Sequence, residues 1–427
     1  MFWCGAIVIG IVAAGFASMA DYAQRVFTHL ITIHRFMPFV LCPIGFAVIA
    51  WLAARLCPGA SGSGIPQAIA ARVAEAPAER RYLLGPQVIF GKILLTFLGL
   101  AAGASIGREG PTVQLGAALL YLGAAFGTMS AEMSRTVILA GAAAGVAAAF
   151  NTPLAGIVFA IEEMARAFEY RYSGVVLTAI VLAGAASLSI FGNYSYFGYA
   201  NGDYNIVRDL IAVIVIGAAG GLFGGLFARI LIDGGKLFVN LSNSKILRHP
   251  AIFAALCGLV VALLGFVSHG TSYGSGYAQA RALLHGHDAG SWLFTATKFL
   301  ATAVSGLSGL PGGIFSPSLS IGAGLGASMS SWFSSMSAAG AVLLGMTAYF
   351  AGVTQAPITA FIIVLEVTGG QSMPVPLIAA SVIASSLSRL ICPTSLYHAL
   401  AKNFILEARA IRGPQVTAPN PVPEAAV

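Results

Sequence analysis

The sequence predicts an all-α protein that crosses a membrane many times and is built as an inverted repeat with interrupted helices. Three observations predict this. Of 427 residues, 58% are hydrophobic and only 9% are charged, whereas soluble domains carry about 25% charged residues. The apolar runs approach or exceed the roughly 20 residues that span a bilayer. They lack the alternation of an outer-membrane barrel, and lipid tolerates no open strand edges, so the spans are helical. The second half of the chain also echoes the first, motif by motif. Fifty-one glycines fit close helix packing and broken helices better than long plain rods.

Composition excludes several function classes. A net charge of +7 comes without the basic stripe and interleaved aromatics of a nucleic-acid groove, so basic loops explain it. Cys4, Cys42, Cys57, Cys257 and Cys392 form no CxxC pair and no cluster with histidine, so they are expected to pack, with no metal. No nucleophile, acid pair or His/Cys/Asp set marks a membrane-embedded enzyme. The first apolar run lacks a basic leader and a cleavage site, so it is expected to be a span.

Taken in order, spans are expected at about 2–26, 36–56 and 88–104, then from a restart after Glu109, at 135–161, and up to 191. A polar, tyrosine-rich connection at 193–209 separates a first membrane repeat, 1–192, from a second, 210–406. Within the second, spans are expected at 210–232, 251–268, 292–307, 319–333, 338–350, 357–367 and 374–391. Residues 72–81 are expected to be a charged loop. Residues 407–427, rich in proline near the end, are expected to form a short disordered tail with no soluble domain behind them. Basic residues collect in alternate loops: Arg72, Arg80 and Arg81; Arg166 and Arg171; Lys236, Lys245 and Arg248; Lys402, Arg409 and Arg412. The positive-inside rule places these and the C-terminus in the cytoplasm.

The repeat is visible in the spacing of Pro153 to Glu162, which recurs as Pro357 to Glu366. Gly141 and Gly345 share that offset, and Gly62-Ser63-Gly64 has a weaker echo in Gly274-Ser275-Gly276. Glycine-broken segments at matching places point to a site where the two repeats meet.

Residues 105–115 hold the most informative stretch. Arg108 and Glu109 lie between long apolar runs, where an ionisable group costs about 2.5 kcal/mol or more. Gly107 and Gly110 let the backbone turn, and Pro111 suits the first turn of a new helix. The restarted helix would aim its free N–H groups, and about half a positive charge, into the protein. A glutamate there can occupy an anion site when charged and leave it when protonated.

Three further stretches carry chemistry. Ser63, between Gly62 and Gly64 and ahead of Pro66, offers a hydroxyl beside free N–H groups, although the stretch also reads as a turn. Gly312 and Gly313 precede a helix restart that would expose the N–H groups of Ile314 and Phe315. Glu162 and Glu163 end an apolar helix: one reads as a solvated terminus, the other as an inward-facing proton acceptor. Lys92 and Lys298 interrupt apolar runs and are expected to pair with a carboxylate or to snorkel. Tyr397 alone reads as an interfacial aromatic.

Residues 62–66, 107–111 and 312–317, in this order, resemble the three signature stretches of the CLC family of chloride channels and chloride/proton antiporters. The resemblance runs from about residue 5 to 406. It implies a homodimer in a lipid bilayer, with one pore per subunit, each subunit being two inverted repeats of tilted and half-length helices. It implies that Ser63, Tyr397 and the N–H groups of Ile314 and Phe315 hold a chloride ion. Gly62, Gly64, Pro66, Gly107, Arg108, Gly110, Pro111 and Gly313 would shape those loops. It implies that Glu109 is the external gating glutamate and Glu163 the internal proton-transfer glutamate, an acid that channels of the family commonly lack. The implied activity is exchange of about two chloride ions per proton in a cell (inner) membrane. The alternative is a passive voltage- or pH-gated chloride channel on the same scaffold. No cofactor is implied, chloride and protons being the substrates. Two features depart from the family. Gln67, Ala68 and Ile69 stand where many antiporters carry acids, so proton access must differ. The chain also starts almost at its first span, without the usual amphipathic segment. The fluoride-selective branch differs at Ser63, Glu109 and the tyrosine, and the lack of regulatory domains after Leu406 resembles prokaryotic members.

Overall fold

Proline and glycine set the helix boundaries. In the computed structural model α1 (Phe2–Ile33), α2 (Pro38–Leu56), α3 (Ile65–Val73), α4 (Pro77–Leu84), α5 (Pro86–Ala101), α6 (Glu109–Ala124), α7 (Ala131–Phe150), α8 (Pro153–Phe159) and α9 (Ser173–Phe191) make the first half. The second half contains α10 (Ile206–Leu241), α11 (Pro250–Val267), α12 (Tyr277–Leu284), α13 (Trp292–Leu307), α14 (Phe315–Ser330), α15 (Ala338–Thr354), α16 (Pro357–Val367), α17 (Pro374–Ile391) and α18 (Leu396–Ala410). The structure describes residues 2–124, 129–165, 173–192, 195–200, 202, 205–241, 249–287, 292–333, 335–369 and 373–411. Arg166, Arg171, Lys245, Arg248 and Arg412, and most of the expected tail, lie outside them. Among the described residues, seven helices open on proline, whose missing N–H is not needed in a first turn. Among the described residues, eight helical stretches are long and apolar enough to cross a membrane.

The two halves are built alike. One offset relates Lys92 to Lys298, Gly107 to Gly313, Pro111 to Pro317 and Gly116 to Gly322. In the first half α6 lies on α7 where a Cβ on Gly116 would overlap the Gly141 carbonyl; in the second, α14 lies on α15 where a Cβ on Gly322 would meet Gly345 O at 2.5 Å. Only glycine permits backbones this close. These pairs belong to one large core, while a smaller one joins α2, α5 and α11 through Phe46, Leu95 and Val261.

Several expectations are corrected. The span expected at 135–161 is broken. Asn151 is left-handed at φ 58° and ends α7, and Pro153 starts α8, which passes into a π-helical turn, Ala160–Ala165. Gln355 at φ 60° and Pro357 repeat that break between α15 and α16. The charged loop at 72–81 is the end of α3 and most of α4, with Glu79 and Arg80 buried and Arg80 Nη2 donating to Ala74 O at 2.7 Å. Residues 407–410, expected to open the tail, are instead the last turn of α18. Cys4 is exposed rather than packed, whereas Cys42, Cys257 and Cys392 are buried.

Glu162 is not a solvated terminus. Its carboxylate accepts from Ile358 N (3.1 Å) and Thr359 N (2.6 Å) at the start of α16. Glu366 returns the contact, accepting from Leu154 N (3.1 Å) and Ala155 N (2.7 Å) at the start of α8. Each repeat thus caps a helix of the other with an acid, which the positive end of a helix favours.

Lys92 and Lys298 neither snorkel nor meet a carboxylate among the described residues. Both are fully buried. Lys92 Nζ donates to Ala60 O (2.6 Å) and Gly62 O (2.9 Å). Lys298 Nζ donates to Ser105 Oγ (3.0 Å), Ser272 O (3.1 Å) and Gly274 O (2.6 Å). A buried ammonium costs several kcal/mol unless hydrogen bonds replace its water, and here loop carbonyls replace it. The matching glycine loops of the two repeats are therefore each tied to a lysine.

Candidate functional site

Three glycine loops converge at the middle of the chain's two repeats. Gly107 and Gly313 exchange both backbone hydrogen bonds, each at 2.7 Å, and Gly312 N donates to Gly62 O at 3.1 Å. This brings the N-termini of α6 and α14 together, so two sets of unpaired N–H groups serve one region. The stretch before Pro66 is held firmly. Gly62 (φ 70°) and Gly64 (φ 107°) take left-handed conformations. Gln67, buried, accepts from Gly64 N at 2.9 Å and donates to Ser61 O. Gln67, a departure from the family's pattern, is thus a brace for the Ser63 loop. Gln114 adds bonds to Gly59 O (3.0 Å) and Leu83 O (2.8 Å). Gly110 is needed because a Cβ there would lie 2.6 Å from Ser63 Oγ and 2.7 Å from Ser63 O.

Glu109 opens α6 and is 1% exposed. Its Oε1 accepts from Tyr196 Oη (2.9 Å) and Ser316 Oγ (2.8 Å), and those two hydroxyls are 3.1 Å apart. Its Oε2 lies against Gly107, where a Cβ would overlap it. Arg108 turns away from the carboxylate. Its Nη1 donates to Ala17 O (2.7 Å) and to Asp21 Oδ1 (2.9 Å), and its guanidinium stands 5.8 Å from the Tyr196 ring centre. A cavity of about 190 Å³ is lined by Asp21, Arg108, Glu109, Tyr196 and Tyr277.

A second cavity, about 210 Å³, shares no residue with the first and is lined by Ser63, Ile314, Tyr397, Phe404 and Glu407. The Ser63 Oγ and Tyr397 Oη atoms are buried here with no hydrogen-bond partner among the described residues. Such groups cost free energy unless something polar meets them. Ile314 caps α14 and Phe315 opens it. The Phe315 ring packs edge-on to Tyr397, with centroids 5.9 Å apart. Two hydroxyls and a helix N-terminus around one space suit a small anion.

Glu163, on the π-helical turn, is 3% exposed. It lines a wide cavity of about 1060 Å³ with Glu162, Arg389, Ser395, His398 and Lys402. Ser395 Oγ is 3.5 Å from its Oε1, and His398 Nε2 is 2.8 Å from its carbonyl O. This cavity and the 210 Å³ one share Leu400, Asn403 and Glu407. The structure thus brings Ser63, Glu109, Ile314, Phe315 and the glycines to one junction, with Tyr397 beside it. Glu163 lies apart, on the wall of the wide cavity. Among the described residues no group of His, Cys, Asp or Glu is arranged to hold a metal ion.

The family model described as voltage gated chloride channel matches residues 44–389. The chain belongs to the voltage-gated chloride channel, or CLC, family. One relative is the H(+)/Cl(-) exchange transporter ClcA of Yersinia pestis bv. Antiqua (strain Angola). It is 30% identical over 421 residues, covering 93% of this chain and 82% of the relative. The crystal structure of a slow cyanobacterial Cl-/H+ antiporter superposes with a TM-score of 0.81 at 25% identity, over 95% of this chain and 97% of that one. A CLC-type fluoride/proton antiporter superposes with a TM-score of 0.76 at 22% identity, covering 93% and 97%, and shows the shared fold. This CLC chain is therefore a multi-pass membrane protein of a transporter family, not an enzyme.

Four residues of this CLC site were not singled out in the sequence. Ser316 lies inside the quoted glycine stretch, and Tyr196 inside the tyrosine-rich connection. That connection is folded back, with Phe197 N on Val367 O (2.7 Å) and Ala200 N on Thr368 O (2.9 Å). Gln114 carries no signal beyond being polar in an apolar run, and His398 simply follows Tyr397.

Proposed function

We propose that this CLC protein exchanges chloride for protons, about two chloride ions moving for each proton through reciprocal coupling. The observation that carries this is the Glu109 carboxyl. It is buried at the junction of α6 and α14, with one cavity on its own wall and a second, lined by unpartnered hydroxyls, across the junction. Ser63, Tyr397 and the N–H groups of Ile314 and Phe315 bind chloride without any full positive charge, which keeps binding weak enough for release. A charged Glu109 competes for the same helix ends, and protonation removes it as a rival. Glu163 takes up protons from the wide cavity. The names of the relatives support exchange rather than passive flow.

The deciding experiment uses purified protein in liposomes with a chloride gradient, no pH gradient, and voltage clamped by potassium and valinomycin. Protons are expected to move uphill. Chloride flux without uphill protons would leave a passive channel on this scaffold.

Replacing Tyr397 by Phe tests the anion site directly. Its hydroxyl has no protein partner, so the change should not unsettle the fold. Losing one hydrogen bond to an anion costs about 1.5 kcal/mol, roughly tenfold in chloride affinity. Unchanged chloride binding by calorimetry would remove Tyr397 from the site.

In the same reading the protein is a homodimer in the inner membrane with its C-terminus in the cytoplasm. Helix α18, with Lys402 and Arg409, packs on α3 and α4, with Arg72, Arg80 and Arg81, which gathers the basic groups on one side. A reporter fused at Val427 and active in the cytoplasm, and a sedimenting mass of two chains, are the expected outcomes.

A further inference from the structure

His398 is the one imidazole in contact with Glu163 among the described residues. It sits in the first turns of α18, next to Tyr397, and is buried. Its Nε2 is 2.8 Å from the Glu163 carbonyl oxygen and 3.9 Å from Glu163 Oε1. A carbonyl oxygen only accepts, so Nε2 carries hydrogen. A proton added to the ring therefore goes to Nδ1. Both His398 and Glu163 line the wide cavity. His398 thus lies between the cavity and the carboxylate that the antiport reading makes the inner proton acceptor, with Nδ1 itself buried.

We propose that His398 is a second proton-carrying residue of the exchange cycle, delivering protons from the wide cavity to Glu163. The proposal rests on the antiport reading. Nδ1 is buried at rest, so a brief swing of the side chain exposes it to the wide cavity, where it takes a proton from water to give an imidazolium that swings back. Nε2 then passes its proton to Glu163 Oε1, which becomes a neutral carboxyl, and the ring is left neutral with hydrogen on Nδ1. Exchange of the ring protons with water restores the starting tautomer. The 3.9 Å gap closes with a small rotation of the Glu163 side chain or one intervening water.

The surroundings suit the role. Ser395 Oγ lies 3.5 Å from Glu163 Oε1 and 3.3 Å from Thr354 O, which ties the start of α18 to both the acid and α15. Arg72 Nη1 donates to Met164 O at 3.2 Å and braces the turn that carries Glu163. The other titratable or charged groups on the cavity wall are Glu162, Arg389, Lys402 and Glu407. Glu162 is engaged at the start of α16. Imidazole is the side chain whose ordinary titration falls between pH 5 and 8. Gln67 and Ile69 leave the Ser63 loop without acids, so a proton carrier near Glu163 supplies what the loop does not.

The test is His398→Gln in the chloride-gradient liposome assay, with the pH on the Glu163 side varied from 5 to 8. Glutamine keeps a donor for the Glu163 carbonyl but cannot carry a proton. Proton flux is expected to fall at least about tenfold, short of the roughly hundredfold or more of an irreplaceable proton donor because water still reaches the cavity. Chloride flux should fall far less, so the chloride-to-proton ratio rises and the pH dependence of proton flux flattens. Unchanged ratio and pH profile in a variant that still moves chloride would make His398 a purely structural contact and overturn the proposal. Absence of uphill proton movement in the unmodified protein would instead overturn the antiport reading, and the relay with it.

Discussion

Replacing Glu109 by Gln is expected to abolish proton coupling while chloride continues to flow. The carboxyl is buried, and Oε1 accepts from both Tyr196 and Ser316. A glutamine carbonyl accepts the same two bonds, so the side chain keeps its place and loses only its charge and its proton. The α6 and α14 ends then have no carboxylate competing with chloride. Proton flux should drop at least about a hundredfold, the effect of removing an obligatory proton carrier. Chloride flux should also lose its dependence on pH at the Glu109 side. In the unmodified protein that flux is expected to fall as pH rises, if the charged carboxylate is the rival anion that the proposed exchange makes it. Parallel proton and chloride recordings in liposomes check both, and a Glu109→Gln protein that still pumps protons would remove Glu109 from the coupling step.

Glu163→Gln is the second large effect. The residue is held by its backbone, through His398 on its carbonyl oxygen, and lies on a turn whose other acid, Glu162, caps α16. Amide for acid therefore leaves the turn in place and removes only titration. Proton flux is expected to fall at least about a hundredfold with chloride flux retained. Unlike Glu109→Gln, this variant keeps the Glu109 carboxyl, so its chloride flux is expected still to respond to pH at the Glu109 side. The two variants should thus share lost coupling and differ in gating. If Glu163→Gln retained uphill proton transport, protons would reach Glu109 by a route that bypasses the wide cavity.

Much of the site could be read from sequence because it is made of local features. Glycine and proline declare turns and helix starts within a few residues. That is why the loops at Ser63, Glu109 and Ile314 are legible in the sequence alone. The repeated spacing of Pro153 to Glu162 and Pro357 to Glu366 likewise needs no contacts to be seen. Where reading failed, the cause was a partner far along the chain. Lys92 and Lys298 look like interruptions of a span until the carbonyls of the glycine loops are beside them. Glu162 looks like a solvated helix end until the start of α16 meets it. The break at Asn151 was missed because one residue in a left-handed cap leaves the apolar run intact.

The amino-acid order alone specified a multi-pass helical membrane protein with two related halves and three glycine loops. Hydrophobic run length, Gly/Pro backbone preference and internal repetition are all properties of neighbouring residues. Only the tertiary structure decided that Gly107 and Gly313 bond to each other, that Tyr196 and Ser316 hold the Glu109 carboxyl, and that His398 stands against Glu163. Those pairings join segments distant in the chain, and no local preference encodes them. They arise when two inverted repeats pack and buried polar groups must find partners across the junction.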